Sequence, residues 1–188
     1  LGKKREIGEG LFDLPVRILS LLDLRITASF PEKEDSFQQN AKGKSLFYSQ
    51  FWEGLTLAED SGLEIDFLNR APGVLSARFS GPQATDRKNN QQVLRLLEGV
   101  PFEKRRARFI SCMVLSSKQK VVAEIEGRVE GYVASKEKGS FGFGYDPLFF
   151  YPPLKKTFGE LAPIEKNEVS HRGQALAKLR IFLKDFIT

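Results

Sequence analysis

The chain has 188 residues, 41% of them apolar and 28% charged, and carries a net charge of +5. That length predicts one domain, or two lobes sharing one core, large enough to fold without disulfide staples. A single cysteine, Cys112, excludes an internal disulfide and fits a reducing compartment such as the cytoplasm, and no apolar run approaches the roughly 20 residues that span a bilayer.

In chain order, "KKREIGEGL" reads as a short helix, followed by the apolar segment "VRILSLL" and a carboxylate-rich loop, "ASFPEKED". A helix is expected over about 36–52, with Ser36 as its N-cap. "LTLAEDSGLEIDFL" reads as two short strands around a turn, and "RAPGVLSARFSGPQ" as loop. A second long helix is expected over about 85–97. "RRARFISCMVLSS" and "KVVAEIEGRVEGYVA" have strand composition and predict a hairpin. "FFY" (149–151) reads as a strand entering the core. The last helix, over about 170–186, carries Leu176, Leu179, Leu183 and Phe186 on one stripe. Helices interleaved with strands predict an α/β or α+β fold.

The basic balance suits an anionic partner, nucleic acid or nucleotide, and equally suits a lysine-rich soluble surface. Lys44 falls within the apolar stripe of Phe37, Ala41, Tyr48 and Phe51. It either snorkels or points into an anion site. Glu59 and Asp60 are adjacent. On a regular strand they face opposite sides, but at a strand end the chain can turn both toward one cleft. With carboxylates from "PEKED" they offer hard oxygens for magnesium; the plainer reading is an acidic turn. His171, the only histidine, and Arg172 open the last helix, where positive charge is unfavourable by about 0.3–1 kcal/mol each. Either that end faces a hydrogen-bond acceptor, or Glu165 and Glu168 neutralise it. "SFGFGYDPLFFY" (140–151) packs aromatics around two glycines and an Asp-Pro pair, which a regular element would not tolerate.

Seven motifs stand in one order: "GKKREI" (2–7), "SFQQNA" (36–41), "EDSGL" (59–63), "APGVLSARFSG" (71–81), "ATDRKNN" (84–90), "FGYDP" (143–147) and "EKNEVSHRG" (165–173). In this arrangement the chain resembles the inosine triphosphate pyrophosphatase family, the dITP/XTP diphosphatases, nearly end to end. The resemblance implies an elongated mixed sheet with flanking helices, two lobes around a central nucleotide-binding cleft, and a homodimer. It implies one pyrophosphatase domain over 1–188, with the family's N-terminal strand missing. It also implies Mg²⁺-dependent hydrolysis of ITP, dITP and XTP to the monophosphate and pyrophosphate, clearing the nucleotide pool, with no need of nucleic acid or membrane.

By the same resemblance, Asp60 is a metal ligand and the general base, with Glu59 and Glu32 as further metal-linked carboxylates. Lys3, Lys44 and Ser61 would contact the phosphates. Phe143, Gly144, Tyr145 and Asp146 would form the base-binding segment, and Lys166, His171 and Arg172 its other wall. Two positions depart from the pattern. The chain opens at the end of the N-terminal phosphate turn, without its asparagine. Gln39 replaces the glutamate of Phe-x-Glu-Asn-Ala. Two rival functions are a pyrophosphatase for modified pyrimidine triphosphates and a non-enzymatic nucleic-acid or nucleotide binder that stacks bases on aromatics.

Overall fold

The structure is a computed structural model. It describes residues 2–32 and 36–187, and of residues 2–5 the backbone alone. Helix α1 (Gly2–Gly10) leads through an irregular segment to α2 (Phe37–Tyr48) and strand β1 (Thr56–Ile65). Helix α3 (Asp86–Leu96) precedes the long hairpin of β2 (Arg106–Ser117) and β3 (Lys120–Val133). Two short strands follow, β4 (Phe149–Tyr151) and β5 (Lys156–Thr157), then α4 (Pro163–Val169) and α5 (His171–Ile187). The sheet runs β1-β2-β3-β4-β5, and every pairing is antiparallel. Among the described residues no helix is long and apolar enough to cross a membrane.

The register explains the core. Leu57 faces Leu115 and Leu63 faces Phe109 across β1 and β2, so the odd-numbered residues of both strands share one sheet face. At one end of that face Met113 and Leu115 pack under Leu176, Leu179 and Leu183 of α5, with Leu11 beside them. At the other end Leu63, Ile65, Phe109 and Val129 pack with Phe149 and Phe158. The even face carries Ile110, Cys112 and Val114 beneath Phe37 and Ala41 of α2. Two apolar clusters along one face thus leave a polar gap between them, and the candidate site lies there.

Several expectations change. Residues 56–65 form one unbroken strand rather than two around a turn, because all ten pair with β2. The glycine that suggests a turn, Gly62, is needed for close approach: a side chain there would collide with Ser76 and the Gly73 carbonyl. Helix α2 is capped by Ser36 as expected, its hydroxyl accepting from the Gln39 N–H at 3.2 Å, but it ends at Tyr48. There the Phe51 N–H turns back to the Tyr48 carbonyl, leaving Phe51 outside the helix and exposed. The segment read as loop holds a 3₁₀ turn, Gly73–Arg78. Helix α4 was not expected. Its start is marked by Pro163 and by Glu165, which accepts the Ala162 N–H at 2.9 Å. Phe186 is exposed, unlike the three leucines of its stripe.

Strand β1 is the outer strand of the sheet. Beside it lies a cavity of about 460 Å³, walled by Ile7, Leu11, Val16, Ile18, Leu57 and Leu183. Its lining is mostly apolar, with Arg17 and Glu59 as charged members, and does not suit a polyanion.

Candidate active site

Across the odd face, between the two apolar clusters, runs a belt of polar side chains. Ser111 of β2 donates to Glu59 Oε1 of β1 at 3.0 Å. Arg172, in the first turn of α5, donates to the same oxygen through Nε (3.0 Å) and one terminal nitrogen (2.9 Å). That nitrogen also donates to the Ser61 hydroxyl at 2.9 Å, and the other terminal nitrogen to Glu6 of α1 at 2.6 Å. The helix start can come this close only because β3 has Gly127 beneath it; a side chain there would collide with the His171 carbonyl. Ser170 caps the turn, its hydroxyl accepting the Gly173 N–H at 3.0 Å. Burial works against the Arg172 charge, but Glu59 and Glu6 outweigh it and lift its pKa. The partners that neutralise this helix start are therefore Glu6 and Glu59 rather than the local Glu165 and Glu168.

Glu6 connects the belt to the aromatic loop. Its second oxygen accepts from Lys166 Nζ at 3.0 Å, and Lys166 also reaches Asp146 at 2.7 Å. Asp146 accepts the Phe143 N–H at 2.8 Å. Burial pushes the Asp146 carboxyl up, against the pull of Lys166 and that N–H. From outside, Asp86 of α3 accepts the Gly144 N–H at 2.7 Å, and Asn90 donates to the Gly144 carbonyl at 3.1 Å. Gly144 itself has φ +61°, which favours glycine. The loop is thus held on both sides, and the ring of Phe143 meets two cations: Lys166 Nζ at 4.7 Å and the Arg172 guanidinium at 5.5 Å from the ring centroid.

On the even face lies a smaller cluster. Lys44 Nζ sits 2.8 Å from Glu32, 3.5 Å from Asp60 Oδ1 and 3.1 Å from the Glu59 carbonyl. So Lys44 points inward at carboxylates instead of snorkelling. Because β1 runs straight through, Glu59 and Asp60 project to opposite faces. This corrects the pairing of Glu59 with Asp60 around one metal, since the Glu59 carboxylate is turned to Arg172 and Ser111. Asp60 and Glu32 do fit magnesium, which takes one or two carboxylates and completes its shell with water and substrate phosphate. Their convergence on one ammonium marks a place suited to positive charge. Among the described residues no group of three or more acidic, histidine or cysteine side chains is poised for a metal.

Of the expected site residues, Asp60, Lys44 and Glu32 are thus together on one face, and Arg172, Ser61, Lys166, Asp146 and Phe143 on the other. Tyr145 and His171 are placed differently from the expected base wall. Tyr145 is buried, its hydroxyl donating to the Ser76 carbonyl at 2.8 Å. His171 is buried and stacked on Phe109, 4.6 Å between centroids with a 12° tilt. The Lys3 side chain lies outside the described residues. Sequence reasoning missed Glu6, Ser111, Asp86 and Asn90. Asp86 and Asn90 lie inside the motif "ATDRKNN" and were within reach of it. Glu6 likewise lies inside the motif "GKKREI", whereas nothing local to Ser111 signals that it meets a residue far along the chain.

The Ham1 family model matches residues 1–182. A dITP/XTP pyrophosphatase of a Thermoanaerobacter species is 41% identical over 181 residues, covering 96% of this chain and 91% of that protein. The dITP/XTP pyrophosphatase of Bacillus subtilis is 39% identical, covering 97% and 92%. The solved structure of a HAM1 protein from Coxiella burnetii superposes with a TM-score of 0.90 at 37% identity, covering 97% of this chain and 93% of its own. That of a nucleoside-triphosphatase, a dITP/XTP pyrophosphatase from Mycobacterium abscessus, gives 0.78 at 38% identity, covering 93% of each chain. The chain belongs to the Ham1 family.

Proposed function

We propose that the protein is a magnesium-dependent pyrophosphatase that converts dITP, XTP and ITP to the monophosphate and pyrophosphate. The observation that carries this reading is that neighbouring residues of one outer strand serve two chemistries. Asp60 belongs to a carboxylate and ammonium cluster suited to a metal and phosphates. Glu59 and Ser61 belong to a buried cluster whose cations cover an aromatic ring. The names of the relatives supply the substrate class.

Asp60 and Glu32 would hold the metal, which when bound offsets phosphate charge. Lys44, beside those carboxylates, would stabilise charge on the departing pyrophosphate. Asp60 orients the attacking water and takes its proton. Lys166 and Arg172 can only donate hydrogen bonds. They favour the oxygen at position 6 of hypoxanthine or xanthine and reject the amino group of adenine, because an unmatched buried donor costs free energy. Gly144 leaves room for the base against the loop backbone. A role in the nucleotide pool places the protein in the cytoplasm, and the resemblance implies a homodimer.

The test is pyrophosphate release from ITP, dITP, XTP, ATP, GTP and modified pyrimidine triphosphates, with Mg²⁺ and with chelator. Release from the 6-oxo purines in Mg²⁺ alone is expected. Release from none of them sinks the reading, and preference for the pyrimidines would put the rival in its place.

A further inference from the structure

We infer that Glu6 of α1 is a positioning residue for base selection, one that sets where the spare donors of Lys166 and Arg172 stand. This rests on the proposed function, which gives those two cations the base.

The hydrogen-bond inventory carries the argument. A guanidinium has five N–H donors and an ammonium three. Arg172 makes four hydrogen bonds: two to Glu59, one to Ser61 and one to Glu6. Lys166 makes two, to Glu6 and Asp146. Among the described residues each cation therefore keeps one donor that a ligand could take. Glu6 fills one position on each, its two oxygens going one to Lys166 and one to Arg172. Its carboxylate width thereby fixes the separation of the two cations and the rotation of each head group. Both head groups lie over the ring of Phe143, at 4.7 and 5.5 Å from its centroid, so the ring and the Glu6 carboxylate together set where the two head groups stand.

Burial makes the role specific. The side chains of Glu6, Lys166 and Arg172 are 6%, 4% and 3% exposed. Water cannot replace a missing partner there, so an unmatched cation would reorient rather than simply lose an interaction. Lys166 retains Asp146 and Arg172 retains Glu59 when Glu6 is neutralised. Each keeps its charge partner and loses its orientation toward the other. The effect should fall on recognition of the base and leave the chemistry at Asp60, on the opposite face of the strand, largely untouched.

The experiment uses the full chain and two variants. Glu6→Gln keeps the shape and removes the charge. Glu6→Asp keeps the charge but is too short to reach both cations. Binding of inosine and adenosine monophosphates by calorimetry gives a readout independent of turnover. Steady-state hydrolysis of ITP and ATP gives the split between KM and kcat.

For Glu6→Gln, inosine monophosphate affinity should fall about tenfold, the cost of a mis-set hydrogen-bonding site, while kcat for ITP stays within about threefold. The ratio of kcat/KM for ITP over ATP should shrink by a similar factor. Glu6→Asp should fall between the variant and the native protein, and it carries the test if Glu6→Gln does not fold. Loss of stability with an unchanged ITP-to-ATP ratio in the folded variants overturns the inference, as does a fall in kcat alone. If the native protein binds inosine monophosphate selectively but hydrolyses none of the triphosphates, the proposed function fails and the role of Glu6 in base selection is still decided by the binding arm. Native protein with no preference between the two monophosphates overturns the inference, and pyrophosphate release still decides the proposed function.

Discussion

The two sides of strand β1 hold their charges in opposite ways. On the Asp60 side, Lys44, Glu32 and Asp60 are 16%, 33% and 11% exposed, with Lys44 2.8 Å from Glu32 and 3.5 Å from Asp60. On the Glu59 side, Glu59, Arg172, Glu6, Lys166 and Asp146 are all 6% exposed or less, with contacts of 2.6–3.0 Å. The first arrangement is open and easily exchanged. The second is dry and has several partners for each charge. A side that must admit a metal and release pyrophosphate gains from contacts that break at low cost. A side that must tell one base from another gains from donors that cannot reorient. The difference follows from strand geometry, since adjacent residues face different environments.

The sharpest way to break this comparison is Asp60→Asn. Turnover of ITP should fall by at least about 10²-fold, the usual contribution of a positioned base. Stability should fall by less than the roughly 3–5 kcal/mol that breaking a fully buried pair costs, because the amide keeps the carboxylate's shape and Lys44 keeps Glu32. Steady-state kinetics and a urea titration measure the two together. Near-native turnover would remove Asp60 from the chemistry. A large loss of stability would show that this side is as rigid as the other.

Arg172→Met should do the reverse to the fold. It leaves Glu59 and Glu6 buried against Ser111 and Lys166 without their main cation. Breaking a buried pair by removing one partner costs about 3–5 kcal/mol, to be read as a drop in the urea midpoint. A change below about 1 kcal/mol, typical of surface pairs, would mean that water enters the polar gap and that the belt is not preorganised.

Much of this was legible in the chain, and the limits have physical causes. The hairpin of β2 and β3, helix α3 and the leucine stripe of α5 follow from local periodicity and capping, which the sequence carries directly. Phe143 and Asp146 stand out because glycines and Asp-Pro interrupt an aromatic run. The misreading of 56–65 came from treating Gly62 as a turn signal, when its reason is the approach of Ser76 from another segment. That error also placed Glu59 beside Asp60, whereas an unbroken strand separates them. Tyr145 and His171 carry chemistry-capable groups, yet tertiary packing on Ser76 and Phe109 decides their roles. Glu6 lies inside the motif "GKKREI", but its role was hidden because its partners lie 160 and 166 residues away, and no local pattern records a contact of that range.

Cys112 probes the Asp60 side at finer scale. It lies opposite Asp60 in the register of β1 and β2 and is buried. Burial pushes its thiol up from 9.0 to about 12, with Glu126, Asp60 and Glu59 adding to the shift. The sign of the resulting pH effect follows from proton binding. Above about pH 9 the unfolded chain loses this proton while the folded protein keeps it until about pH 12, so unfolding releases a proton and stability falls as pH rises through that window. In metal-free protein, Cys112→Ala should flatten the decline between pH 9 and pH 11 in urea titrations, after allowance for its loss of packing at neutral pH. The native thiol should also resist iodoacetamide at pH 8, since the thiolate is the reactive form. Rapid alkylation without unfolding would mean that the Asp60 side opens far enough to admit the reagent. The looseness of that side would then extend past the Lys44 contact into the apolar packing under α2.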